Sequence, residues 1–136
     1  MSRAIVFAVV FSFAGFLGSQ RALAHHGGAE YDLGKTVEFK GKLTKVDLIN
    51  PHAWLHLDVK SPDGSVVNWA IELGPPNALI KRGWTKKDVP AGIELLIDGY
   101  QSKDGAMRAN GREITFPDGK KLFAGSSGTG TPDEKN

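Results

Sequence analysis

The chain has 136 residues, with 17 Lys and Arg against 15 Asp and Glu, four His and no Cys. Without cysteine there is no disulfide framework and no thiolate metal site, so stability has to come from packing and any metal would sit among nitrogen and oxygen ligands. The near balance of charge gives no electrostatic footprint for nucleic acid.

Residues 1–24 read as a secretory signal: Arg3 is the positive start, Ala4 to Leu17 is a nearly unbroken apolar run, and Ala22-Leu23-Ala24 is a small-residue cleavage pattern. Gln20 and Arg21 end the run short of the roughly 20 apolar residues that a bilayer span needs, which favours export over anchoring. Cleavage after Ala24 predicts a periplasmic or secreted protein of residues 25–136. Its charges balance once Arg3 and Arg21 are gone. That length suits one small domain.

A polar lead, 25–35, precedes a first strand in which Val37, Phe39, Gly41 and Leu43 share a face by period-two alternation. The apolar parity then moves to Val46 and Leu48, and one extra residue near Thr44-Lys45 would do that, so a bulged, bent strand is predicted. After Asn50-Pro51 a second strand runs from about His52 to Val59. Ala53, Leu55, Leu57 and Val59 lie on one face and His52, Trp54, His56 and Asp58 on the other.

Ser61-Pro62-Asp63-Gly64 signals a turn into a third strand, Val66 to Leu73. A two-residue Asp63-Gly64 loop would set Leu55 beside Glu72. A three-residue loop with Gly64 in the left-handed region instead sets Leu55 beside Ile71, Leu57 beside Trp69, Val59 beside Val67 and Trp54 beside Glu72. The second register keeps the apolar residues on one face and is the one predicted.

Pro75-Pro76 opens a short helix through Arg82, and Gly83 closes it. Thr85 to Asp88 reads as a second capped turn, and Ile93 to Asp98 as a fourth strand. Turns are predicted at Lys103-Asp104-Gly105, Asn110-Gly111 and Asp118-Gly119, with a fifth strand from Arg112 to Phe116. Residues 124–136 read as a tail without apolar anchors. The barrel domain is therefore assigned to 36–123. Three strands, a short helix and two strands predict an all-β, five-stranded OB-fold-like barrel, with a small β-sandwich as the alternative. In OB-folds the face of strands 2 and 3 commonly binds ligands.

His25-His26 follows the expected cut. A free His25 offers its α-amine and imidazole Nδ1 to one metal ion, and His26 adds an imidazole and an amide nitrogen. Such a donor set suits tetragonal Cu(II), with Zn(II) second. The plain alternative is two solvated residues behind a cleavage site. His52 has the freedom of an irregular Asn-Pro entry and could join that site, or simply cap a local turn. His56 is about 13 Å further along a regular strand, too far to share an ion with it.

Glu72 is a candidate ligand, or an acceptor that orients a histidine. Trp54, His56 and Tyr31 are candidates for a binding surface, with Tyr31 also able to dock the lead to the barrel. No serine stands in a Gly-x-Ser-x-Gly setting and no phosphate-binding glycine loop is present, so an enzyme is not the default expectation.

His25-His26, Tyr31-Asp32, Asn50-Pro51-His52, Trp69-x-x-Glu72, Pro76-Asn77-x-Leu79, Gly83-Trp84 and Asp118-Gly-x-x-Leu122 occur in order. With them the chain resembles a family of small exported bacterial proteins known chiefly as a domain of unknown function. The resemblance covers nearly all of residues 25–136 and implies a periplasmic β-barrel-like domain, with no established reaction or ligand. Gly27-Gly28 stands where members often have Ser, and His56 lies outside the family pattern.

Three functional expectations follow. The first is a periplasmic Cu(II)-binding module using His25, His26 and His52 with Glu72. The second is a metal-free module that binds a peptide, glycan or periplasmic protein on the Trp54 face. The third is a copper-dependent oxidase. None of them involves nucleic acid, or a membrane anchor after cleavage.

Overall fold

A computed structural model describes residues 29–125 of the chain. The expected signal, the His25-His26 pair and the tail beyond Gly125 lie outside the described residues. Six strands, β1 (Tyr31–Asp47), β2 (Trp54–Lys60), β3 (Val66–Glu72), β4 (Glu94–Ser102), β5 (Arg108–Thr115) and β6 (Lys121–Phe123), form one sheet. The helix α1 (Pro76–Lys81) and a 3-10 turn (Lys86–Asp88) lie between β3 and β4.

Neighbouring strands run β3-β2-β1-β4-β5-β6, and β3 also pairs with β5, so the first five strands make a near-closed ring. All pairings are antiparallel except the closing one. There, three parallel pairs join Ala70 to Arg108, Ile71 to Ala109 and Glu72 to Asn110. This is the OB-like arrangement that the alternation predicted, with β6 added.

Period-two alternation accounts for the core. Leu55 and Leu57 from β2, Ile71 from β3, Leu95 and Ile97 from β4 and Ile114 from β5 are fully buried inside the ring. The β2–β3 register is the predicted one, with Leu55 opposite Ile71, Leu57 opposite Trp69 and Trp54 opposite Glu72. Gly64 at φ 87° takes the left-handed position of the loop.

The bulge in β1 falls where the parity switches: Leu43 pairs with Leu57, but Lys45 pairs with His56. Pro at the start of α1 and Gly83 at φ 93° after it bound the helix. A capping box between Thr85 and Asp88 bounds the 3-10 turn.

Several boundaries move. β1 begins at Tyr31 instead of Thr36, because Tyr31 is itself paired with Ser102. β2 begins at Trp54 instead of His52, although Ala53 still exchanges backbone hydrogen bonds with Leu73 and Gly74. Asn110-Gly111, expected as a turn, lies inside β5. Gly111 is there because a Cβ would meet Ile71 Cγ2 at 2.8 Å and Leu73 Cδ2 at 2.9 Å, so close packing and not turn chemistry explains this glycine. Ala124, placed in the tail by composition, is buried and bonds Arg112 and Gly74 through its backbone.

The face assignment has a direct consequence. Leu55→Ala removes a fully buried side chain and should destabilise the fold by about 2–5 kcal/mol. Trp54→Ala, from the half-buried outer face, should cost clearly less in the same urea denaturation. Equal, large losses would overturn the assignment.

Candidate functional site

The end of β3 sets the site. Ile71 and Leu73 enter the core, so Glu72 between them points to the outside of the ring. It is nevertheless only 7% exposed. A carboxylate removed from water needs donors on its oxygens, and two side chains supply them. The Tyr31 hydroxyl, at the start of β1, donates to Glu72 Oε2. His52 Nδ1, at the entry to β2, bonds Glu72 Oε1.

Tyr31 is 1% exposed and docks the start of β1 over the outer face. Burial first, and then the Glu72 hydrogen bond and charge, push its phenol well above the ordinary tyrosine value. The hydroxyl therefore remains a donor across the physiological range.

His52 keeps about a fifth of its side chain exposed. Nδ1 is the ring nitrogen turned to the carboxylate, and no described residue bonds Nε2. A carboxylate on one imidazole nitrogen with the other left open is the arrangement that fixes tautomer and orientation in metal-ligating histidines. Both Glu72 oxygens are engaged, so this carboxylate fits the orienting role better than a ligand's.

His56 belongs to a different carboxylate. Its Nε2 lies 3.1 Å from Asp47 Oδ2, which also takes a 2.8 Å contact from Lys45 Nζ. The Lys45 hydrogen bond, followed by that of His56, holds Asp47 below the usual carboxylate range. Trp54 is paired with both Asp47 and Glu72, between the two histidines, and is half-buried. His52 and His56 are thus kept apart as strand geometry requires. Among the described residues no three His, Asp or Glu side chains converge on one point.

Two residues of the cluster escaped the sequence reading. Arg108 places its guanidinium 5.9 Å from the centre of the Tyr31 ring and reaches Glu30 at 3.3 Å. Asn110, in register with Glu72 on one side and Tyr100 on the other, is fully buried with neither amide atom hydrogen-bonded. Residues paired in a sheet share a face, so Asn110 lies on the Glu72 side. The alternation Arg108-x-Asn110 was the available signal, masked by the stronger turn signature of Asn110-Gly111.

The architecture defines a mostly β domain whose outer face carries a buried Tyr–Glu–His cluster. The chain belongs to a family of unknown function (DUF6152), whose model matches residues 16–111. That span includes Tyr31, His52, Glu72, Arg108 and Asn110. No curated protein matches the chain.

The raised phenol makes the cluster testable at high pH. A group whose proton is held more tightly in the folded state stabilises the fold below its ordinary value and loses that contribution as pH rises, so stability should fall above about pH 10. In absorbance titration at 295 nm, the difference between wild type and Tyr31→Phe should show no ionisation near pH 10, only a step that coincides with unfolding. A reversible step near pH 10 in folded protein would show Tyr31 to be open to water.

Proposed function

We propose that the protein is an exported metal-binding module, for Cu(II) in first place and Zn(II) in second, acting in the periplasm or outside the cell. The observation that carries this reading is His52, held through Nδ1 by a buried carboxylate while Nε2 takes no partner from the described residues. One imidazole is not a site. The α-amine and imidazole of His25 and the imidazole of His26 would supply the remaining nitrogen ligands once the signal is removed.

Chain length permits this. Six residue steps lead from His25 to Tyr31, a reach of up to about 20 Å at roughly 3.3–3.6 Å per residue. Tyr31 in turn is only one carboxylate away from His52. Glu72 then acts through His52: its charge strengthens the imidazole as a donor and fixes the ring. His56, committed to Asp47, stays outside the site.

Protein beginning at His25 should bind one Cu(II) more tightly than protein carrying one extra N-terminal residue, because the extension removes the amine beside the imidazole. His52→Ala should weaken binding further, whereas His56→Ala should change it little. Affinity should fall as pH drops below neutrality, since protons compete for imidazole and amine nitrogens in the range, roughly 6.5 to 8.0, where the free groups titrate. Calorimetry and copper paramagnetic resonance on these four proteins check the reading. Indistinguishable affinities for the native and extended termini would overturn it and favour a metal-free interaction module on the Trp54 face.

A further inference from the structure

The segment between β3 and β4 leaves an apolar hollow beside the ring. Successive residues of a helix lie roughly 100° apart around its axis, so Leu79, buried in the core, turns Ile80 away from it. Ile80 is 59% exposed. Gly83 at φ 93° ends the helix, and Trp84 and Val89 return to the core on either side of the 3-10 turn. These side chains, with Leu48 just beyond β1, line a cavity of about 400 Å³ whose wall is almost wholly apolar. Ile49, next to Leu48, is left 63% exposed.

Lys86 is the one charged residue in that lining among the described residues, and it is exposed. Asp88, two positions on, is already engaged: its Oδ2 accepts from Thr85 N at 2.8 Å and from Thr85 Oγ1 at 2.7 Å. Among the described residues no carboxylate pairs with Lys86. A lysine lays its methylene stem along an apolar wall and keeps its ammonium at the water's edge. The hollow therefore joins an apolar interior to a single cation at its rim.

We propose that this cavity binds a free fatty acid, with the alkyl chain against Ile80 and Trp84 and the carboxylate at Lys86. Charge complementarity selects the head, because a neutral head leaves the ammonium uncompensated and a cationic one is repelled. Volume selects the tail. About 400 Å³ is near the lower end of the roughly 300–1,000 Å³ range of small-molecule sites, which suits one alkyl chain and not the two of a bilayer lipid. The cavity shares no residue with the Tyr31–Glu72–His52 cluster, so its failure would leave the metal-site reading standing.

The test uses protein beginning at His25, which keeps every described residue, with a chelator present so that no metal takes part. Decanoate, decanol and decyltrimethylammonium are titrated by calorimetry below their micellar concentrations. Decanoate should bind more tightly than the other two. Ile80→Glu should weaken decanoate and decanol alike by about tenfold or more, because an apolar wall is replaced by a carboxylate. Lys86→Ala should weaken decanoate about twofold to fivefold, as for an exposed ion pair, and leave decanol unchanged. Decanoate brominated at the end of its chain should quench tryptophan emission in wild type and far less in Trp84→Phe, since Trp54 and Trp69 are outside the lining.

Binding of decanoate only at micellar concentrations, or equal binding by wild type and Ile80→Glu, would overturn the site. Quenching that survives Trp84→Phe unchanged would do the same. Equal affinity for decanoate and decyltrimethylammonium, or a Lys86→Ala loss shared by decanol, would overturn the anionic ligand. If Trp84→Phe does not fold, Ile80→Glu, at an exposed side chain, carries the same localisation.

Discussion

The buried carboxylate of Glu72 is the constraint around which the outer face is organised. An ionised group at this depth is strongly unfavourable unless each oxygen finds a donor, and removing one partner leaves a deficit of about 1–3 kcal/mol or more. Its two donors come from far along the chain, 41 residues before it for Tyr31 and 20 for His52. A single carboxylate therefore ties together the start of β1, the entry to β2 and the end of β3. Core packing alone does not hold these three places against one another, because all three side chains lie outside the ring's apolar interior.

The same place is where the ring closes. β3 and β5 share only three parallel pairs, and the last of them joins Glu72 to Asn110. β5 divides one edge between two partners, giving Arg108 to Asn110 to β3 and Glu113 to Thr115 to β6. Gly111 lets this short seam pack tightly on Ile71 and Leu73 from within. From without, it is covered by Tyr31, held under Arg108. The weakest pairing of the barrel and the polar cluster thus support each other: the seam aligns Asn110 with Glu72, and the side chains above it shield the seam from water.

What the sequence made legible is what depends on local periodicity. The β2–β3 register followed from the rule that a one-residue slip would turn Leu55, Leu57 and Ile71 to the outer face. The bulge near Lys45 followed from a parity switch, and the limits of α1 from Pro and Gly chemistry. The burial of Glu72 was not legible, because a carboxylate at an outward strand position looks solvated until something distant in the chain covers it. Tyr31 sits in a polar stretch without alternation, so its docking to the barrel could be read, but not that Glu72 is what it covers. Asn110-Gly111 carried a turn signature that the tertiary need for a bare Cα against Ile71 overrode. β6 has three residues, too few for any period to register.

The two histidines of β2 and its entry show how environment separates residues that composition treats alike. Asp47 shares its charge between His56 and the Lys45 ammonium and stands partly in water, where salt and solvent screen what remains. Glu72 takes its hydrogen bonds from a phenol and an imidazole, in a place nearly closed to water. Its charge is neither divided with an ammonium nor well screened, so its hydrogen bond holds the His52 ring in place more firmly than Asp47 holds that of His56. The difference comes from the cover that Tyr31 provides, which makes the docking of the first described residues part of the chemistry of His52 as well as part of the fold.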